Sequence, residues 1–156
     1  MANICNNTLL FSGKPKNLKA VRELFEEMLS DNEDGYGAIP SFIANVFDGY
    51  MFDIYLDKTD YVSYWTKWCP NEDVIKLIAD KYKVDFVLDY EELGCGLFGR
   101  FFYNHKTKQL IDYCLTDEEM SVVDTNDNGE YIYNGEEIEC PEDIYTEILN
   151  KKIKNN

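Results

Sequence analysis

The run Asp124-Thr125-Asn126-Asp127-Asn128-Gly129 sets oxygen side chains at positions one, three and five of a loop, with glycine at six. That spacing suits a hard cation such as calcium, and Asp124, Asn126 and Asn128 are the ligand candidates. Position twelve should be a bidentate glutamate, but it is Gly135, with Glu136 one place late. The flanks read as strands, not as the paired helices of an EF-hand. Asn, Asp and Gly are also the residues any tight turn uses, so the turn reading outweighs the metal reading.

Other chemical groupings are weaker. Gly94-Cys95-Gly96-Leu97-Phe98-Gly99 spells G-x-G-x-x-G, which cradles a pyrophosphate only between a strand and a helix. Here a strand is expected to follow, so the string reads as a bend that lets the chain leave its first sheet. His105, the sole histidine, lies in a polar hairpin turn beside Lys106 without a Ser or Cys partner in a recognisable elbow. Cys69, before Pro70 and near a helix start, has no general base nearby in sequence. Glu91 and Glu92 are adjacent on a strand and so point to opposite faces, which weakens them as an acid–base pair. Cys5, Cys69, Cys95, Cys114 and Cys140 are widely spaced and form no C-x-x-C pair, which argues against zinc and for reduced thiols. No cofactor is expected, and no catalytic residue is assigned.

What is unusual is where the charge lies. Between Gln109 and Asn150 there are thirteen carboxylates and no Lys or Arg; between Glu23 and Asp57 there are nine more and again no base. These 22 of the 30 acidic residues contribute −22, and the remainder contributes +7, for a net −15. Such a chain is not expected to bind nucleic acid directly, since that needs a basic face to displace counterions from phosphates. Anionic membranes are disfavoured for the same reason, and no apolar run approaches the ~20 residues of a membrane span. The start of the chain lacks the basic and apolar regions of a signal peptide, so a cytoplasmic location is expected.

The elements that must carry these groups follow from periodicity. Residues 3–12 read as a strand ending at Gly13. Leu18, Val21, Leu24, Phe25, Met28 and Leu29 recur at helical spacing and predict a helix over 17–30 with Asn17 as N-cap. Asp31-Asn32-Glu33-Asp34-Gly35 stops it, and residues 35–49 read as a loop. Tyr50, Phe52, Ile54 and Leu56 alternate with Met51, Asp53, Tyr55 and Asp57, which is strand period. After a turn at 57–60, Tyr61 to Trp68 is the return strand. Pro70 and Asn71 open a second helix, and Val84 to Tyr90 alternates again. The order is β-α-β-β-α-β, an α+β fold of ferredoxin-like type over residues 1–93. Residues 94–156 of this single domain add a β-hairpin (Leu97–Tyr103 with Leu110–Leu115), a small pair at 121–123 and 131–133, a tight turn at Asn134-Gly135, and a terminal helix. That helix begins at Pro141, with Ile144, Ile148 and Leu149 on its inner face.

Three groups of residues, in this order and spacing, resemble a known family. They are Met1-Ala2-Asn3-Ile4-Cys5-Asn6-Asn7-Thr8-Leu9 with Ser12-Gly13, Trp68-Cys69-Pro70, and Tyr90-Glu91-Glu92 with Gly94, Gly96 and Gly99. Together they are similar to phage and plasmid proteins with a YubB-type ferredoxin-like domain. The resemblance covers roughly residues 1–115 and ends where the acid-rich segment begins. It implies a mobile-element origin and a ferredoxin-like fold, and it implies no reaction.

The expected function is therefore non-enzymatic. Carboxylates on one strand face stand ~6.6 Å apart, and those at i,i+3 or i,i+4 on a helix ~5–6 Å, separations that can imitate phosphates. Asp117, Glu118, Glu119, Glu130, Glu136, Glu137, Glu139, Glu142, Asp143 and Glu147 are the candidate partner-binding residues, joined by Glu23, Glu26 and Glu27 of the first helix. The expected partner is a basic host protein such as a CRISPR effector or a nuclease, whose nucleic-acid channel the acid would fill. The alternative is a small-molecule or nucleotide binder using the aromatic run Tyr50, Phe52, Tyr55, Tyr61, Tyr64, Trp65 and Trp68.

Overall fold

A computed structural model describes residues 3–31, 37–43, 49–58 and 61–156 of the chain. Parts of the expected 35–49 loop and 57–60 turn, and the expected stop of the first helix, lie outside those residues. In chain order the elements are β1 (Ile4–Ser12), α1 (Pro15–Asp31), β2 (Phe52–Leu56), β3 (Tyr61–Lys67), α2 (Glu72–Tyr82) and β4 (Asp85–Glu92). A 3-10 turn (Leu93–Cys95) leads to β5 (Leu97–Asn104), β6 (Gln109–Cys114), α3 (Asp117–Met120), β7 (Val123–Thr125), β8 (Tyr131–Tyr133), β9 (Glu136–Ile138) and α4 (Pro141–Lys154).

The strands β2-β3-β1-β4 lie in the order of a ferredoxin-like sheet, all antiparallel, and α1 and α2 cover one face. Burial alternates along β1, where Cys5, Asn7, Leu9 and Phe11 face the helices, and along β4, where Phe86, Leu88, Tyr90 and Glu92 do so. Val21, Leu24, Phe25 and Met28 of α1 and Val74, Ile75, Ile78 and Ala79 of α2 complete that core. A fully buried Leu, Ile or Phe contributes roughly 1.5–3 kcal/mol, so this layer carries most of the fold.

Several expectations are corrected. The first helix starts at Pro15, whose fixed φ suits a first helical position, so Asn17 is not its cap. Asn17 instead donates to the Lys83 carbonyl at 3.2 Å. Leu29 is exposed. The alternation in β2 breaks: Asp53 takes a left-handed φ of 47°, the register shifts between Phe52 and Tyr55, and Met51 and Ile54 are buried while Phe52 faces the other way.

The glycine-rich bend does not release the chain from its sheet. β5 pairs with β4 over seven residues and β6 pairs with β5, so the hairpin extends the core into one six-stranded sheet. The reason is visible at Gly99, opposite Tyr90. A Cβ there would overlap the Tyr90 hydroxyl, and its absence lets that ring cross β5 and donate to Asp112 Oδ1 of β6 at 2.9 Å.

The rest of the chain turns onto the opposite face. Phe98 pairs with Glu91, away from the α1–α2 side, and packs against Tyr145 and Leu149 of α4 in a second core with Leu115. Tyr145 supplies the inner face of α4, where Ile144 was expected and is only half-buried. Val123 and Met120 join from the appendage. The expected small pair is a three-stranded sheet: Asn134 and Gly135 both take positive φ, as a two-residue hairpin turn needs, and β9 follows. Neither β9 nor the four-residue α3 was expected.

Candidate functional site

The appendage of α3, β7–β9 and α4 holds the densest charge. Of the carboxylates between Gln109 and Asn150, all but Glu119 and Glu142 are exposed. Glu119 closes a capping box with Thr116 and accepts from Lys152 Nζ at 2.6 Å; that ammonium, first, and the Thr116 amide hold its carboxyl below the usual range. Glu147 lies 3.7 Å from Lys151. Asp117, Glu118, Glu130, Glu136, Glu137, Glu139 and Asp143 make no ion pair among the described residues.

The local folding of the appendage decides which acids point outward. Asp124, Ile132 and Glu137 form one row across β7, β8 and β9. They lie on the face opposite Val123, which packs into the second core. Asp124 and Glu137 therefore flank Ile132, two strand spacings or roughly 10 Å apart. Glu137 and Glu139 do not share a strand face, because β9 ends at Ile138. Glu142 accepts from the Cys140 thiol at 2.9 Å.

The acids of the first helix are not part of this surface. α1 lies on the Leu9 face of the sheet and α4 on the Phe98 face, so the acids of α1 and those of the appendage stand on opposite sides. Glu23 is 3.6 Å from Lys19, and Glu26 accepts from Arg22 at 3.1 Å. Both pairs are at i,i+4 on the helix surface.

The loop Asp124–Gly129 is built as a turn. Asn126 Oδ1 accepts from the backbone N–H groups of Asn128 and Glu130, both at 3.0 Å, and its amide donates to Glu130 Oε2 at 2.7 Å. An oxygen spent on two backbone donors is poorly placed to ligate a cation. Among the described residues no group of three His, Cys, Asp or Glu is arranged to hold a metal ion.

The aromatic run divides between the two faces. Tyr64 is buried on the helix side, its hydroxyl donating to Asn71 Oδ1 at 2.8 Å. Phe52, Tyr55, Tyr61 and Trp65 lie on the opposite face, on the half of the sheet away from β5 and β6, where α4 packs. Phe52 and Trp65 stack with centroids 4.3 Å apart and planes 14° from parallel. Trp65 Nε1 donates to Asp53 Oδ2 at 2.6 Å, and Lys67 Nζ sits 5.1 Å from the Phe52 centroid. The bulge at Asp53 puts that carboxylate within reach of the indole. Tyr50 and Trp68 are exposed at its margins.

Between these two surfaces lies a cleft of about 220 Å³. Asn6 and Thr8 of β1, Asp89 and Glu91 of β4, and Arg100 of β5 line one wall; Glu142, Thr146 and Leu149 of α4 line the other. Arg100 grips Asp89 with two donors and reaches Asn150 of α4 at 3.2 Å. Asn6 Nδ2 donates to Glu91 Oε1 at 3.2 Å. Burial raises the Glu91 carboxyl above the usual range; the Asn6 bond opposes this and the charge of Glu142 adds to it. Sequence reasoning missed the cleft, because its walls come from β1, β4, β5 and α4. One signal was available: Arg100 is one of only two arginines and falls mid-strand.

The other candidates lie elsewhere in the fold or in hydrogen-bonded turns. His105 is held by Asp85, which accepts from its backbone N–H at 2.8 Å and contacts Nδ1 at 2.6 Å. Glu91 and Glu92 do face opposite sides, and Glu92 is buried. Cys69 is exposed just before α2.

Residues 49–143 match the family model described as the ferredoxin-like domain in Api92-like protein. The match runs through β7–β9 to the start of α4, so the acid-rich segment lies largely inside the matched domain, not beyond it as expected. No curated protein and no solved structure matches the chain. No helix among the described residues is long and apolar enough to cross a membrane.

Proposed function

From the premise that this chain belongs to the family with the ferredoxin-like domain of Api92-like proteins, whose description names no reaction, we propose that it acts by binding a basic protein surface. The partner is a host nucleic-acid-binding defence protein of the CRISPR-effector or nuclease class. The chain, a mobile-element product, inhibits it without catalysis by occupying the basic channel meant for nucleic acid. One observation carries this reading: the appendage exposes Asp117, Glu118, Glu136, Glu137, Glu139 and Asp143 with no base paired to them among the described residues. Unpaired carboxylates at this density create a field that steers a basic partner and weakens steeply with salt. The test is affinity capture from a host lysate, followed by titration of the captured partner at rising salt. Reversal of Glu136, Glu137 and Glu139 to Lys abolishes binding; unchanged binding rejects the reading.

A second reading is favoured by the Phe52–Trp65 stack beside Lys67. A planar ring can stack against such a pair, with a cation over its Phe52 ring, which makes it a place for a nucleotide or similar small molecule. Nucleotide titration followed by tryptophan fluorescence tests it, with Trp65→Ala as the variant that abolishes the signal change.

A further inference from the structure

The cleft beneath α4 differs from the rest of the acidic surface because it encloses a volume and has a partly apolar lining. Phe98 and Gly99 of β5 and Leu149 of α4 give the lining its apolar part, with the hydroxyl-bearing Thr8 and Thr146 on facing walls. At its mouth Glu91 projects from the sheet and Glu142 from the helix. Each of these carboxylates has one oxygen committed: Glu91 Oε1 to Asn6 and Glu142 Oε2 to the Cys140 thiol. The second oxygen of each accepts no hydrogen bond among the described residues. The one cation in the lining, Arg100, is already bound by Asp89 and Asn150. The lining of Asp89, Glu91 and Glu142 against Arg100 therefore keeps an excess of negative charge.

We propose that this cleft receives one guanidinium group on a short apolar stem, that is, an arginine side chain presented by the basic partner. The size fits: about 220 Å³ falls below the ~300–1,000 Å³ that enclose whole small-molecule ligands. The chemistry fits as well. A guanidinium offers five N–H donors in a planar fork. The cleft offers two uncommitted carboxylate oxygens and two hydroxyls, with Phe98 and Leu149 for the methylenes. An ammonium is a compact, strongly hydrated point charge that loses more water on entering and uses fewer of these acceptors. The guanidinium would bridge Glu91 and Glu142, and so would close α4 against the sheet.

This inference rests on the proposed binding of a basic partner but is tested without one. The uniformly nitrogen-15-labelled full chain is titrated with n-propylguanidinium chloride, with n-propanol and potassium chloride as controls, and amide shifts are followed by NMR. The expected result is saturable change centred on Thr8, Gly99 and Thr146. The double variant E91Q/E142Q weakens it about tenfold or more, and T146W, which fills the cleft from its α4 wall, abolishes it. Shifts spread evenly over Asp117–Glu139, no saturation, or undiminished binding to both variants overturns the inference. The variant E136K/E137K/E139K keeps the propylguanidinium response while losing the captured partner, so the cleft and the surface reading can each fail alone.

Discussion

Lys152 of α4 holds Glu119 of α3 at 2.6 Å, and the same ammonium donates to the Cys114 carbonyl at 2.9 Å. One lysine thus joins the terminal helix, the appendage and the end of strand β6. With the packing of Met120 and Val123 into the second core, it ties the acidic appendage to the sheet. Both side chains are about two-thirds or more buried, so the pair is partly shielded from solvent. Lys152→Met is expected to cost roughly 1–3 kcal/mol, a fall of about 2–12 °C in Tm. Hydrogen exchange in β7–β9 should rise in step, and an unchanged Tm would show that the appendage is held by packing alone.

The packing of α4 gives a larger effect. Leu149 is 2% exposed and packs with Phe98, Leu115 and Tyr145. Leu149→Ala should cost about 2–5 kcal/mol, since a cavity is left that the short helix cannot close. The loss is predicted to fall on α4 and the appendage, with β1–β4 amides still protected in native-state exchange. Uniform loss across the sheet would mean that the two cores unfold as one unit.

The two acid-rich stretches are predicted to behave independently. The variant E23K/E26K/E27K alters the α1 side of the sheet and E136K/E137K/E139K the appendage side. Only the second should impair binding of a captured basic partner; equal impairment by both would show that net charge, not a surface, drives association. The first should also lose the surface pairs Lys19–Glu23 and Arg22–Glu26, each worth at most about 0.5 kcal/mol.

Acidification should have two opposed effects on stability. Burial is the largest cause of the raised carboxyls of Glu72, Glu91 and Asp112, so the folded chain holds those protons more tightly than the unfolded chain. Each reduces stability at neutral pH, and the loss is recovered as pH falls through its folded value. Glu119 has the opposite sign: its contribution is complete above its unfolded value of 4.5 and is lost as pH falls through the lower folded value. The melting temperature should therefore rise on mild acidification and then fall. In E91Q the initial rise should be smaller, as read by calorimetry across pH.

Thiol chemistry reports on the core. Cys5 is buried, and burial, as the largest cause, pushes its thiol up to about 12, whereas Cys69, Cys95, Cys114 and Cys140 are exposed. A thiol reagent at mildly alkaline pH should label those four in the native protein and Cys5 only after denaturant is added. Native labelling of Cys5 would indicate that the first strand opens readily.

Local order was readable from one dimension. Leu18, Val21, Leu24, Phe25 and Met28 recur at helical spacing and β1 and β4 alternate, because hydrophobic period is a property of neighbouring residues. The βαββαβ order, the Asn134-Gly135 turn and the concentration of carboxylates needed nothing more. Other features depend on residues far apart in the chain. Gly99 reads as a break until Tyr90 is seen crossing it to Asp112, which is why β5 and β6 continue the sheet. The outward face of Asp124 and Glu137 depends on Val123 turning inward to a core that also needs Phe98 and Tyr145. Sequence composition concentrated the acid in two stretches, and only the packing of α1 and α4 on opposite faces separated the acids of α1 from those of the appendage. The cleft exists because α4 returns across β1, β4 and β5, bringing Glu142 to face Glu91. Periodicity tells which side of an element is apolar; which partner covers that side is set by long-range pairing and burial, and these assembled the site.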